Sequence, residues 1–263
     1  MTTFSTISFI GGGRVTWFLL QALKTKQALP KKIIVTDPSE AALAKVRSIA
    51  PPMIECHADN SKAVAAELIF LAVHPPAVPS VLQALRGKLV ASSMLVSLVP
   101  TVTMASLSQQ LGGFNRLARM IPNAPSLIHQ GYNPVAFAPQ IAAVEKTALL
   151  GFFRQWGEAP EVDEKKLEAY AILTGMGPTY FWFQWLELQR LGREFGMSEA
   201  ELSSALPAML HGAAELLFHS GLPAEQVMDL IPVHPLKNDE ETIRQIIAGK
   251  LSALHRKLSE ATK

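Results

Sequence analysis

The stretch "ISFIGGGRVTWFLLQAL", residues 7–23, decides how the rest of the chain is interpreted. A short apolar run meets three glycines and passes directly into a segment with helical spacing. Gly11 permits a sharp turn, and Gly13 lets the backbone approach a pyrophosphate that the first amides of the helix would bind. Thr16 occupies the third motif position, where the smaller Gly or Ala is usual. The stretch predicts a dinucleotide-binding turn, and the alternative is a plain glycine bend.

Short apolar runs alternate with amphipathic segments throughout residues 1–160. The runs are rich in Val, Ile and Leu without strict alternation, which is typical of parallel strands covered on both faces. We therefore predict an α/β fold in which residues 1–160 form a Rossmann-type doubly wound sheet. The predicted strands are residues 7–10, 32–37, 68–73, 94–99 and 115–121, with possible edge strands at 133–138 and 158–162. The predicted helices are residues 14–25, 39–49, 77–89, 104–112 and 142–157.

The strand signals stop after Val162, and the remaining chain has only helical patterns. Helices are predicted from Pro178 to just before Gly196 and near residues 198–219, 223–231 and 238–260. The first half of the Pro178 helix is apolar around its whole circumference, so it must be surrounded. A domain of about 100 residues can scarcely bury such a helix alone. We therefore predict that residues 161–263 form an all-α domain that builds a homodimer, possibly a larger homo-oligomer.

Composition excludes several classes of partner. The 263 residues carry a formal net charge of only +2, and Lys and Arg are scattered, so nucleic acid is not expected. The chain has one cysteine, Cys56, which fits a reducing compartment. We expect no signal peptide before the glycines, and no apolar run approaches the ~20 residues of a membrane span. We predict a cytoplasmic protein without a membrane partner or a metal site.

Two polar residues follow predicted strands, where ligands bind in open α/β sheets. Asp37 can accept hydrogen bonds from the adenosine ribose hydroxyls and would repel a 2′-phosphate, which favours NAD over NADP. Its alternative role is to form a turn and helix cap with Pro38 and Ser39. His74, in "LAVHPPAV", either contacts the cofactor or acts as an acid; the alternative is a histidine in a solvent-facing loop.

Several motifs in order resemble the pyrroline-5-carboxylate reductase family, the last enzymes of proline biosynthesis. Besides the opening turn, they are "LAVHPPAVPSVLQAL", "RMIPNAPSLIHQGYNPVAF" and the stretch that ends in "LTGMGPTY". The resemblance runs to about residue 231. It implies a Rossmann domain followed by a helical domain that intertwines with its twin. It also implies reduction of a small cyclic imino acid by NAD(P)H, with hydride transfer to the carbon of a C=N bond.

The resemblance also implies roles by position. Together with Asp37 and His74, which the residues alone suggest, the residues expected along the cofactor are Gly11, Gly13, Arg14, Val15, Asn60, Ala72, Val73, Pro75 and Asn123. The residues expected at the substrate are Gly175, Met176, Gly177, Pro178 and Thr179. From the residues alone, "TGMGP" is a glycine-flanked helix entry whose N–H groups can hold a carboxylate, or simply a helix stop and start. Without the resemblance, Asn123 would be interpreted as a turn former.

The chain departs from the family pattern on the substrate side. "PVHPLKN", residues 232–238, replaces the family's S-P-G-G-T-T loop, and Met176 and Thr179 replace a serine and an alanine. Tyr180 and His234 are the candidates for an acid, although a core aromatic and a loop residue are their alternatives.

Two rival hypotheses remain at this point. A β-hydroxyacid-type dehydrogenase is disfavoured because it needs a lysine after the glycine motif, and none occurs between Lys166 and Lys237. A dimer that binds nucleotide without catalysis, a sensor or scaffold, is the other alternative.

Overall fold

Seven strands form the central sheet of the structure, a computed structural model that describes residues 4–261. Six neighbouring strands are parallel, and the seventh is antiparallel at one edge. The strands are β1 (Thr6–Ile10), β2 (Lys32–Thr36), β3 (Ile54–His57), β4 (Leu68–Leu71), β5 (Met94–Ser97), β6 (Leu117–Met120) and β8 (Val135–Phe137). Their order in the sheet is β3-β2-β1-β4-β5-β6-β8. A separate pair consists of β7 (Gly131–Tyr132) and β9 (Gly157–Glu158).

Helices connect these strands and cover the sheet. They are α1 (Arg14–Thr25), α2 (Glu40–Arg47), α3 (Val78–Leu85), α4 (Met104–Gln110), α5 (Ala143–Phe153) and α6 (Leu167–Tyr170). A π-helical segment, Ala171–Gly175, follows α6 directly. Short 3-10 turns are Asn60–Lys62, Pro75–Ala77, Ala124–Ile128, Arg154–Trp156 and Glu164–Lys166. The parallel βα order confirms the predicted Rossmann-type class.

The sheet is buried on both faces, as its continuous apolar strands predict. All residues of β4, β5 and β6 are buried. An aromatic cluster lies on the sheet, with Phe9 and Phe70 stacked at 4.6 Å and Trp156 at 5.7 Å from Phe70. The Trp156 indole N–H donates to the carbonyl of Leu19 at 2.9 Å, so this buried ring leaves no donor unsatisfied.

The strand order reverses between β1 and β4, because the chain first moves outward through β2 and β3 and then returns beside β1. In doubly wound sheets, ligands bind at this point, beyond the carboxyl ends of the strands. The glycine turn and the "LAVHPP" segment both lie there.

The edges of the sheet differ from the prediction in two ways. Strand β3 has no counterpart among the predicted strands, because only Ile54 is buried and the polar residues around it hide the pattern. The possible edge strand at 158–162 contributes little to the main sheet. Glu158 belongs to the β7–β9 pair, and only Glu161 forms a bridge to Val135 of β8.

The chain separates into two compact units. Of the described residues, 4–176 and 254–261 belong to the first unit, and Gly177–Ala253 form the second. Leu167 and Ala171 are buried in the core of the first unit, so the compact units divide beyond the boundary predicted at residue 160.

The second unit is entirely helical. Its helices are α7 (Pro178–Glu194), α8 (Glu199–His219), α9 (Ala224–Asp229) and α10 (Glu240–Ala261), the last of which continues into the first unit. Gly196 has a φ of +89° just past α7, and Ser198 and Glu201 form a capping box at the start of α8. Among residues 4–261, no helix combines the length and apolar character that a bilayer span requires.

Candidate functional site

Gly11 makes the turn after β1 possible. Its φ of +108° is a conformation that side chains with a Cβ rarely adopt. A Cβ at this position would also overlap the carbonyl oxygen of Ala72 and lie 2.7 Å from its carbonyl carbon. The Gly11 amide donates to Thr36 O at 2.7 Å, and the Ala72 amide donates to Ile10 O at 2.8 Å. The turn is therefore held between the ends of β2 and β4, with no space for a larger residue.

Thr16 explains the departure from the usual third glycine. Its side chain is fully buried, and its hydroxyl donates to the carbonyl oxygen of Gly11 at 2.5 Å. This bond satisfies a buried carbonyl that the sharp turn would otherwise leave without a partner. In this chain the larger residue stabilises the turn instead of displacing it.

Gly13 and the start of α1 form an open cradle. Gly13 is exposed, and a Cβ built on it would meet nothing within 4 Å. No side chain caps α1 at Gly13, and its first turn contains no acidic residue. The first amides of an α-helix lack intrahelical acceptors, so those of Arg14 and Val15 can bind an anion. The close turn at Gly11 and the open space at Gly13 fit a dinucleotide pyrophosphate.

Asp37 has structural partners at the end of β2. One carboxylate oxygen accepts from the Gly12 amide at 2.8 Å, and the other accepts from the Ser39 amide at 2.8 Å. Ser39 in turn caps α2 through the amide of Ala42 at 3.3 Å. The turn-and-cap role is therefore present. Because a carboxylate can accept about four hydrogen bonds, Asp37 still has capacity for ribose hydroxyls.

The next residues predicted to bind cofactor lie at the same edge of the sheet. Asn60 accepts from the Thr36 hydroxyl at 2.8 Å, which places its amide beside the end of β2. Ala72, Val73 and the segment that starts at His74 follow β4, where Ala72 contacts Gly11. His74 is exposed at the start of the Pro75–Ala77 turn.

Asn123 is fixed at the end of β6 by three contacts. Its side-chain oxygen accepts from the Tyr132 amide at 3.0 Å, and its side-chain nitrogen lies 3.4 Å from Thr174 O. Its own amide donates to the side-chain oxygen of Asn133 at 3.2 Å. The residue is 8% exposed, so these bonds leave the amide group little freedom.

The π-helical segment brings part of "TGMGP" next to Asn123. Its characteristic bond runs from the Met176 amide to Ala171 O at 2.9 Å. A Cβ on Gly175 would lie 3.1 Å from a methyl of Ile121, two residues before Asn123. Two motifs separated by about fifty residues in sequence therefore meet inside the first unit. Short π segments are frequent at functional sites.

The other candidate residues belong to the second unit. Gly177 has helical φ and ψ values, and Pro178 is the first residue of α7, followed by Thr179. Tyr180 is partly buried on α7, and burial raises the pKa of its phenol. His234 is exposed, with its Nε2 atom 2.5 Å from Ile231 O. Their roles toward substrate and acid stay predictions.

Three polar residues at this site are missing from the predicted set. Asn133 and Ser126 are fully buried, and the Asn133 oxygen accepts from the Ser126 hydroxyl at 2.9 Å as well as from Asn123. Arg119 is buried within β6. A charged residue inside an otherwise apolar strand, "LARM", is a signal that could have indicated it. Within residues 4–261, no group of three or more His, Cys, Asp or Glu is placed to hold a metal.

Comparisons with known proteins agree with this geometry. Residues 6–100 match the family model described as NADP oxidoreductase coenzyme F420-dependent. The pyrroline-5-carboxylate reductase of Pseudomonas aeruginosa is 29% identical over 223 residues, covering 83% of this chain and 81% of that protein. The Escherichia coli (strain K12) enzyme is 27% identical over 229 residues, covering 86% and 84%. The chain is thus similar to pyrroline-5-carboxylate reductases over more than four fifths of its length.

Solved structures share the fold of this chain. The Plasmodium falciparum pyrroline carboxylate reductase, with NADP bound, has a TM-score of 0.83 at 20% identity and matches over 100% of both chains. The Coxiella burnetii pyrroline-5-carboxylate reductase has a TM-score of 0.75 at 23% identity, over 99% of both. The resemblance inferred from sequence motifs, and the fold class it implies, are thereby confirmed.

Proposed function

We propose that this protein is an NAD(P)H-dependent reductase that converts pyrroline-5-carboxylate, or a close cyclic imino acid, to proline or its analogue. The curated relatives that it matches over more than four fifths of their length are named pyrroline-5-carboxylate reductases. The observation that carries the proposal is the glycine turn, because Gly11 is closed against Ala72 while Gly13 remains open. A plain bend between a strand and a helix requires the close packing at Gly11, but it does not require open space at Gly13.

The carboxyl edge of the sheet supplies the residues for a nicotinamide nucleotide. The amides at Gly13 and Arg14 would hold the pyrophosphate, and Asp37 and Asn60 would receive the ribose hydroxyls. A bound nicotinamide would supply the hydride for the C=N carbon. The protein would align the nicotinamide with the imino acid, which makes a bimolecular reaction effectively unimolecular.

The substrate side of the proposed site lies where Asn123 meets the π-helical segment. Asn123 is held rigidly, and Gly175 packs on Ile121, so the two backbone segments keep a fixed spacing. Such rigidity suits a reaction that needs a defined distance between donor and acceptor. A protonated imine needs little acid assistance, so Tyr180 and His234 remain the only acids we propose.

Asp37 supports NAD over NADP as the preferred cofactor. Its carboxylate is anchored by Gly12 and Ser39 beside the ribose position, where it would repel a 2′-phosphate. The two basic residues of α2 also have other contacts. Lys45 lies over the ring of Trp17 at 4.7 Å, and Arg47 pairs with Glu40 at 3.1 Å.

The test of this function is turnover with the proposed substrate. We expect the purified protein, mixed with pyrroline-5-carboxylate, to oxidise both NADH and NADPH, with a higher kcat/KM for NADH. Loss of the nicotinamide absorbance measures the rate. Tight cofactor binding without turnover on any cyclic imino acid would favour the nucleotide-binding sensor or scaffold. The segment 232–238 motivates that alternative, because Val233 and Pro235 stand where the family has a hydroxyl and a glycine, and Pro235 has no N–H to donate.

The second unit supports a homodimer, possibly a higher homo-oligomer. Large apolar side chains of α7 are exposed, including Phe181 at 48%, Phe183 at 67% and Leu186 at 65%. Within this unit α7 and α10 also line an apolar groove of about 530 Å³. Exposed apolar surface of this extent is unusual for a monomer and marks an interaction site. A second copy of the helical unit is the occupant we propose.

Charges on this face should prevent assembly. Phe183 and Leu186 are three residues apart and lie on one side of α7, so we expect the Phe183→Glu, Leu186→Glu double variant to sediment as a monomer. The wild-type protein should sediment as a dimer or larger. Glu194→Gln is the matched control, because it alters an exposed ion pair with Arg190 on the same helix and should leave the mass unchanged. A monomeric wild-type protein would contradict the proposal.

A further inference from the structure

A buried ion cluster lies behind the proposed substrate side. Arg119 of β6 is 1% exposed, and its guanidinium donates to Glu164 and to Glu168, each at 2.9 Å. It also donates to the carbonyl oxygen of Pro100 at 2.8 Å. Glu168 is 6% exposed and belongs to α6. None of these residues is among those assigned above to cofactor or substrate.

Stability alone does not account for such a cluster. The desolvation of buried charges largely offsets their mutual attraction, and well-packed apolar residues often serve stability as well or better. A buried ion pair does fix which groups are neighbours, since a shift in register would leave a charge unpaired. The role of this cluster therefore follows from the backbone segments that it joins.

The cluster joins the two backbone segments that form the substrate side. Arg119 is next to Met120, the last residue of β6, which leads directly to Asn123. Glu168 lies in α6, which leads directly to the π-helical segment. The far end of that segment returns to Asn123 through Thr174 O. The stretch from α6 to the end of the π-helical segment is thus bonded at its start to β6 and near its end to Asn123, just beyond β6.

A second carboxylate connects the cluster to the start of α4. Glu164 accepts from the Met104 amide at the start of α4 at 2.7 Å, as well as from Arg119. Pro100 follows β5, so the guanidinium contacts the loop between β5 and α4 directly. One side chain therefore contacts the β5–α4 loop, the Glu164–Lys166 turn and α6.

We propose that Arg119 and Glu168 are positioning residues, which set the spacing between the π-helical segment and Asn123 and thereby the fit of the imino acid. This inference rests on the proposed function. It assigns no contact between either residue and the substrate. A defect in the cluster should therefore change substrate binding. The nucleotide cradle at Gly11 and Gly13 should stay intact, because β1 and β6 lie on opposite sides of the central strand β4.

The test removes the Arg119–Glu168 ion pair by changing Glu168 of α6. We expect Glu168→Ala to raise KM for the imino acid at least tenfold, with the Kd for NADH within twofold of wild type. Glu168→Gln keeps an acceptor oxygen for the guanidinium, so it should recover most of the loss. Glu145→Ala is the matched control, because it removes a carboxylate from Arg116, whose pair is partly exposed near the opposite end of β6. Its KM should not change.

A readout without turnover keeps this inference separate from the proposed function. In Glu168→Ala, amide hydrogens of residues 171–176 should exchange at least tenfold faster, and those of residues 11–16 should not. Glu145→Ala should leave both peptides unchanged. Unchanged exchange at 171–176, or an equal increase across the whole first unit, would overturn the positioning role even if the wild-type enzyme is active. If the wild type is inactive but exchange changes locally, only the proposed function fails.

Discussion

Gly11→Ala is expected to abolish nicotinamide nucleotide binding and to destabilise the first unit. The new methyl would overlap the backbone of Ala72, which is held by its bond to Ile10, and the backbone would be strained at a φ of +108°. Strain of this kind costs on the order of 3 kcal/mol before any clash is counted. Titration of NADH by calorimetry and urea unfolding would measure the two effects, and we expect at least a hundredfold loss of affinity.

The Gly13→Ala variant distinguishes a dinucleotide-binding turn from a simple bend between strand and helix. Its φ of −72° suits alanine, and a Cβ there has open space, so the free energy of unfolding should change by less than about 1 kcal/mol. If the backbone at Gly13 approaches a pyrophosphate, the methyl group should still weaken NADH binding at least tenfold. Wild-type affinity in a stable Gly13→Ala protein would contradict the nucleotide assignment.

Gly131→Ala is expected to be among the most destabilising single changes in the chain. A Cβ at this buried position would overlap the Ser126 hydroxyl and lie 2.6 Å from both Asn133 Nδ2 and Trp156 O. The Trp156 carbonyl is backbone and cannot rotate away. We expect a loss on the order of 4 kcal/mol in the free energy of unfolding, measured in urea. Asn133 would be displaced from Asn123, so KM for the substrate should rise as well.

Gly151→Ala is the matched control and should act in the opposite direction. Gly151 is exposed within α5, and an added Cβ meets nothing within 4 Å. Alanine favours a helix interior over glycine by roughly 0.5–1 kcal/mol, so this variant should be slightly more stable than wild type. Equal effects at the two glycines would show that the packing around Gly131 is not the constraint we describe.

The sequence alone determined the fold class and most of the elements. Local periodicity identified the β1–α1 unit and all four helices of the second unit, because helix and strand patterns depend on neighbours within a few residues. The glycine spacing indicated the turn for the same reason. Strand β3 was missed since an edge strand with one buried residue carries almost no pattern.

Tertiary structure decided which residues meet. By sequence Thr16 departs from the motif, whereas in the folded chain its hydroxyl donates to the Gly11 carbonyl and stabilises the turn. Arg119 and Glu168 are 49 residues apart in sequence, so their pairing depends on how β6 and α6 pack. Periodicity reports which face of an element is buried, but not which distant side chain it will contact. Backbone patterns are local, whereas the hydrogen bonds that fix Asn123 and its neighbours form only after the chain has folded.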